Sequence, residues 1–141
     1  MTSGRAAFAI EVTDPQPGCS VLVVGADTAA DAFAVRVGPG GVIRTSDSLS
    51  DATGVSDLVC VFGMPEFRGR DVSRLACIPD LLGPAGELWV FDSPGHGEST
   101  GPLSMQISTT LSRAGLAIVD ILEGRCMEGR CVIALCAMVK G

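Results

Sequence analysis

Six short apolar runs, each closed off by Gly, Pro, Asp or Ser, limit what this chain can become more than any other feature of it. They read "SVLVVG" (20–25), "GVIRTSD" (41–47), "DLVCVFG" (57–63), "ELWVFD" (87–92), "AIVDILEG" (117–124) and "RCVIALCAMV" (130–139). The first, third and fourth are apolar without a break. Successive side chains of a strand point to opposite faces, so this is the pattern of a strand covered on both sides. Residues 117–122 alternate only in part, as an edge strand does.

Stretches of helical periodicity lie between the runs. "TAADAFAV" (28–35) is short and Ala-rich, and "RDVSRLACIPDLL" (70–82) places Val72, Leu75, Ile78 and Leu82 three and four apart on one stripe. Pro79 inside that pattern must kink the helix or divide it into two short pieces. "GPLSMQISTTLSRAG" (101–115) carries Leu103, Ile107 and Leu111 four apart, with Pro102 suited to its first turn and Gly115 to its end. Strands alternating with helices imply βαβ units and a mostly parallel sheet. The last two runs are joined by about five residues, too few for a crossover helix, so they are predicted to be antiparallel. No internal repeat or linker is visible, and residues 1–141 are expected to form a single domain.

Composition agrees with a packed domain. At 47% hydrophobic and 18% charged the chain can bury a core, and with no Tyr and 4% aromatics that core must rest on Val, Leu, Ile, Ala and Cys. The ten Lys and Arg are scattered singly against a net charge of −6, which leaves no basic stripe for a nucleic acid. No apolar stretch approaches the ~20 residues of a membrane span. "MTSGRAAFAIEV" lacks the parts of a secretory signal, so the chain is expected in the cytoplasm, without a membrane partner. Of the six cysteines, Cys19, Cys60 and Cys77 sit in apolar segments and are expected as buried free thiols. Cys126, Cys131 and Cys136 are spaced five apart, which on a strand sends successive sulfurs to opposite faces. No metal site is expected.

The order of elements, with the turns Leu82-Gly83-Pro84-Ala85-Gly86 before the fourth run and Ala114-Gly115-Leu116 before the last two, resembles a class I S-adenosylmethionine methyltransferase. "SDLVCVFGMPEF" is similar to that family's fourth strand, with Asp57 keeping its leading acid. The resemblance implies a three-layer Rossmann-like methyltransferase fold. Only nine residues, "SLSDATGVS" (48–56), separate the second run from "DLVCV", so the third strand of the usual scheme and its helices are expected to be missing. The family also carries an acid and then G-x-G-x-G after its first strand. The matching positions here read Gly25-Ala26-Asp27-Thr28-Ala29, with Val23 and Val24 where the acid would stand. Asp27 would set a carboxylate against the cofactor's own, a repulsion of roughly 1 to 4 kcal/mol in a partly dry cleft. Asp47 stands 22 residues beyond Gly25, where the resemblance implies a ribose-binding acid, although a turn Asp capping local backbone would look the same. If S-adenosylmethionine binds, Gly25, Asp27 and Asp47 are the residues expected at it.

Other chemistry is sparse. His96, the only His, lies in the Gly-rich "DSPGHGESTG" flanked by Ser93 and Ser99, with no G-x-S-x-G elbow. "GPGG" (38–41) lacks the ending of a phosphate-binding loop and reads as a turn. Asp92, at the end of the fourth run, is a candidate base. No catalytic residue is assigned.

A reduced methyltransferase-like domain of this order is similar to the N-terminal domain of the anamorsin family of cytosolic iron–sulfur cluster assembly factors. That resemblance implies a non-catalytic docking domain with no cofactor of its own, cluster ligands in a separate C-terminal segment, a diflavin reductase as partner, and a chain excised from a longer protein. An active small methyltransferase using Asp47 for the ribose and Asp92 or His96 near the acceptor is the alternative. A domain for another nucleotide is the third reading.

Overall fold

The computed structural model describes residues 4–25, 27–69, 71–95, 98–124 and 132–140, with backbone alone at 4, 5, 27 and 28. Strands β1 (Ser20–Val24), β2 (Val42–Ser46), β3 (Ser56–Phe62), β4 (Leu82–Asp92), β5 (Leu116–Glu123) and β6 (Ile133–Val139) form one sheet in the order β2-β1-β3-β4-β6-β5. The pairs β1/β2, β1/β3 and β3/β4 are parallel, whereas β6 runs antiparallel to both β4 and β5. The α/β architecture and the antiparallel last strand predicted from the sequence are therefore present. Residues 47–55 connect β2 to β3 through bends and turns alone, so the third strand of the usual scheme is missing. As predicted, β5 is an edge strand.

Alternation across the central strands produces two apolar layers. Leu22, Val24, Val59, Val61, Leu88 and Val90 face one side, while Val21, Val23, Leu58, Cys60, Trp89 and Phe91 face the other. The first layer is covered by α3 (Ile78–Leu81) and α4 (Thr100–Arg113). Leu103, Ile107 and Leu111 form the stripe of α4, and each buried side chain contributes about 1.5 to 3 kcal/mol. Helix α2 (Asp27–Val37) covers the second layer through Ala29, Phe33 and Val37.

Two elements differ from expectation and a third divides as read. An unforeseen helix, α1 (Gly4–Thr13), packs Ala6 and Ala9 onto the second layer and sets Phe8 edge-on to Phe91 at 6.2 Å. Pro79 does divide the 70–82 stretch: a single 3-10 turn at Val72–Leu75 is followed by the four-residue α3. β4 begins five residues early, because the Leu82–Gly86 turn pairs with Ser56 before an irregularity realigns Leu58 with Glu87.

Three hydrogen bonds lock the register at the other end of the sheet. Asp57 accepts hydrogen bonds from the Ser20 amide (3.0 Å) and hydroxyl (3.2 Å), and its own amide donates to Ser20 Oγ at 3.0 Å. The acid opening β3 thus staples it to β1. Cys60 and Cys136 are buried free thiols, but Cys19 and Cys77 are only half-buried, because each lies at an element end rather than within a covered strand. Gly38 and Gly41 close a turn through a 3.0 Å hydrogen bond, as read for "GPGG".

Candidate functional site

In an open α/β sheet, ligands enter outside the carboxyl ends of the strands where successive connections diverge. Here that point lies between β1 and β3, since β2 adjoins β1 on one side and β4 adjoins β3 on the other. The loops that flank it begin at Gly25 and Gly63.

Gly25 is fixed by its surroundings. Its φ is +86°, which side-chain-bearing residues seldom adopt, and its amide donates to Ser46 O at 3.0 Å. A β-carbon here would sit 2.6 Å from the Met64 terminal methyl and 2.8 Å from the Phe62 carbonyl. The glycine is thus demanded by the close approach of the two loops, with or without a ligand. Val24 pairs with Ser46, which brings Gly25 and Asp47 to adjoining strand ends.

Asp47 is exposed and makes no hydrogen bond or ion pair among the described residues. It does not cap its own turn. Ser46 Oγ donates to Ser48 O at 2.7 Å and Ser48 Oγ accepts from the Asp51 amide at 3.3 Å, so the serines satisfy that backbone and leave the Asp47 carboxylate to solvent. Asp27 is the first residue of α2. Ala29, at the third glycine position of the resemblance, is 3% exposed and packs with Phe33 against the sheet. Its methyl fills the helix–sheet interface, not the crevice.

The acceptor side is occupied by an ion pair. Asp92 ends β4 with its side chain 8% exposed, and Arg68 grips it in bidentate fashion, Nε to Oδ2 at 2.8 Å and Nη2 to Oδ1 at 2.7 Å. The same Nη2 donates to Ser93 O at 2.9 Å, and the Ser93 amide donates to Asp92 Oδ1 at 2.8 Å. The hydrogen bond to Asp92 pushes the already high Arg68 pKa higher still. Around this pair, Gln106 Nε2 donates to Arg68 O at 2.7 Å and Thr110 Oγ1 to Gly69 O at 3.1 Å, tying the loop to α4. Asp92 is therefore engaged on both oxygens and is not the free base its position suggested.

Ser99 flanks the start of α4 without a side-chain cap bond, and His96 lies outside the described residues, as do Cys126 and Cys131. Among the described residues no three His, Cys, Asp or Glu are placed to hold a metal, and no helix is long and apolar enough to cross a membrane. The sequence reading missed Met64 and Arg68. A lone Met after a strand and a single Arg in a loop carry no periodicity or spacing that marks them.

No protein-family model matches the chain, and no curated protein matches it. Solved structures do. A SAM-dependent methyltransferase from Aquifex aeolicus superposes with a TM-score of 0.72 at 13% identity, over 95% of this chain and 89% of that one. The Burkholderia thailandensis 1,6-didemethyltoxoflavin-N1-methyltransferase, solved with 1,6-didemethyltoxoflavin and S-adenosylhomocysteine, gives 0.71 at 16% identity over 99% and 80%. The B. subtilis M1A22 tRNA methyltransferase TrmK gives 0.64 at 15% identity over 99% and 67%. Likeness at this identity is likeness of fold: the chain has the class I methyltransferase-like fold.

Proposed function

We propose that this chain is a methyltransferase-like domain that does not transfer methyl groups and serves to dock a protein partner. The observation that carries the reading is the contact over Gly25, where the Met64 methyl and the Phe62 carbonyl lie 2.6 and 2.8 Å from where a β-carbon would sit, so that the loops after β1 and β3 pack directly on each other. On this reading that end of the crevice does not fit S-adenosylmethionine. Two features act in the same direction. Asp92 has both oxygens committed to Arg68, and a base must have a lone pair within reach of the proton it takes. The connection over 47–55 supplies neither strand nor helix to wall an adenine.

The finer assignment, a cytosolic iron–sulfur assembly factor of the anamorsin kind with a diflavin reductase as partner, rests on the resemblance in element order, with which the strand order without the third strand is consistent. It is also compatible with the thiols: burial pushes Cys136 up to about 12 and Cys60 well above its ordinary value, and clusters are held by thiolates. The competing reading, an active small methyltransferase, draws support from the free carboxylate of Asp47 beside Gly25, the one feature that suits a ribose.

Titration with S-adenosylmethionine, followed by amide shifts, separates the two. The docking reading expects no saturable shifts at residues 25–29 and 47 below millimolar concentration. Submillimolar binding there, lost in Asp47→Ala, would overturn it in favour of the enzyme. A thermal-shift screen of nucleotides tests the third possibility, since a ligand that binds the native state raises the melting temperature.

A further inference from the structure

Met64 stands two residues beyond β3, and its side chain crosses from the loop after β3 to the loop after β1. The backbone that carries it is held on every side. The Gly63 amide donates to Phe91 O at 2.9 Å, the Phe67 amide to Met64 O at 3.2 Å, and Arg68 is anchored to Asp92, Ser93 and Gln106. The freedom in this loop therefore lies in the Met64 side chain, unbranched and with three rotatable bonds. The groups around its tip leave room once it moves. Gly25 has no side chain, a β-carbon at Gly63 would have no atom within 4 Å, and Asp47 stands exposed at the adjoining strand end. Ala29, at the third glycine position of the resemblance, is turned into the core.

We infer that Met64 is a plug: its side chain, and not Ala29, keeps nucleoside ligands out of the crevice between β1 and β3, and removing it uncovers a site for an adenosyl compound with Asp47 accepting from the ribose hydroxyls. The inference rests on the reading of a closed site given above and adds the residue that closes it. A rotamer change moves the Met64 methyl off Gly25 without unfolding the loop clamped by Arg68, and the Phe62 carbonyl stays in place as backbone.

The test titrates S-adenosylhomocysteine into the full chain, read by amide chemical shifts, for the wild type, Met64→Ala, Met64→Val, and Met64→Ala combined with Asp47→Asn. Both single variants are expected to bind at least about tenfold more tightly than the wild type, with shifts at Gly25, Asp47 and Gly63, and Asp47→Asn is expected to abolish the gain. Should the alanine variant lose its amide dispersion, Met64→Val decides, since it keeps apolar bulk at the β-carbon and lacks the terminal methyl. A folded variant that binds no better than the wild type refutes the plug while leaving the closed-site reading in place. Wild-type binding as tight as the variants' removes both. A gain that survives Asp47→Asn overturns the site described here, because the ligand then sits away from that carboxylate.

Discussion

Replacing Arg68 by alanine tests whether the Arg68–Asp92 pair, and not a cofactor, holds the carboxyl ends of β3 and β4 together. The change removes two hydrogen bonds to the Asp92 carboxylate and one to Ser93 O, and it leaves the Ser93 amide as the donor Asp92 retains among the described residues. Breaking a fully buried pair from one side costs about 3 to 5 kcal/mol, whereas an exposed pair is worth about 0 to 1. With Asp92 8% exposed and Arg68 36%, the stranded charge is well buried but its partner is only partly so. The expected loss is about 2 to 3 kcal/mol, or about 1 M in the urea midpoint for a domain of this size. Trp89, the single tryptophan, lies on β4 with its ring stacked on Phe91 and reports the transition. Adding Asp92→Asn should recover much of the loss, because a buried amide is cheaper to desolvate than a carboxylate, and the double-mutant cycle then gives the coupling. Arg68 is held above its already high unfolded pKa, so its contribution is complete below that value and is lost only above it. The effect should therefore not vary across neutral pH through Arg68. A midpoint shift below about 0.3 M would show that the clamp carries no appreciable stability.

Three further outcomes follow from burial. The folded state holds the Cys136 proton up to about 12 against an unfolded value of 9.0, so stability is full below 9.0 and is lost as pH rises toward 12. At pH 10 that one thiol should cost on the order of 1 kcal/mol, with Cys60 adding in the same direction, and Cys136→Ala should flatten the alkaline limb of a urea-midpoint titration. Among Cys19, Cys60, Cys77 and Cys136, a disulfide reagent on the native protein should label Cys19 and Cys77 and reach the other two only on unfolding, which peptide mapping resolves. Leu49→Ala should destabilise by about 2 to 4 kcal/mol in the same urea assay, because Leu49 is 3% exposed within the first apolar layer, and a cost under about 1 kcal/mol would show that the short connection packs nothing.

The elements most legible in the sequence were those whose period is imposed by two-sided burial. "SVLVV", "DLVCVF" and "ELWVF" feed both layers alternately, so an unbroken apolar run translated directly into β1, β3 and the end of β4. The Leu103, Ile107, Leu111 stripe and Gly115 gave α4 and its stop, where Gly115 takes a φ of +87°. Helix α1 was not legible, because "AAFAIEV" is apolar nearly all round and its fully buried residues, Ala6 and Ala9, are alanines three apart, too small to stand out as a stripe. At the site, Gly25 and Asp47 could be placed from strand ends alone, since both follow parallel neighbours in register. What side chains do across loops could not. Met64 reaching Gly25, Arg68 reaching Asp92 and Ala29 turning inward depend on rotamers and on loop packing brought together over 24 to 39 residues of chain, for which a sequence pattern has no counterpart.

The shortened connection is a healed surface. Deleting a strand and two helices from a doubly wound sheet ought to strip one layer of its cover and leave β2 a raw edge. Instead Leu49 drops into the first layer with Ala52 packed beside it, and Arg44 of β2 reaches over to donate to Thr53 O, Val55 O and Ser56 Oγ. Gly54 is the complement to that latch. A β-carbon there would lie 1.6 Å from the Arg44 guanidinium, and its φ of +84° turns the chain back toward β3. An Arg, a Gly with the required backbone and a buried Leu acting together within eleven residues constitute a solution built for this length of loop. The short connection is thus packed and hydrogen-bonded at this length, while the Arg68–Asp92 clamp ties the loop after β3 to the end of β4.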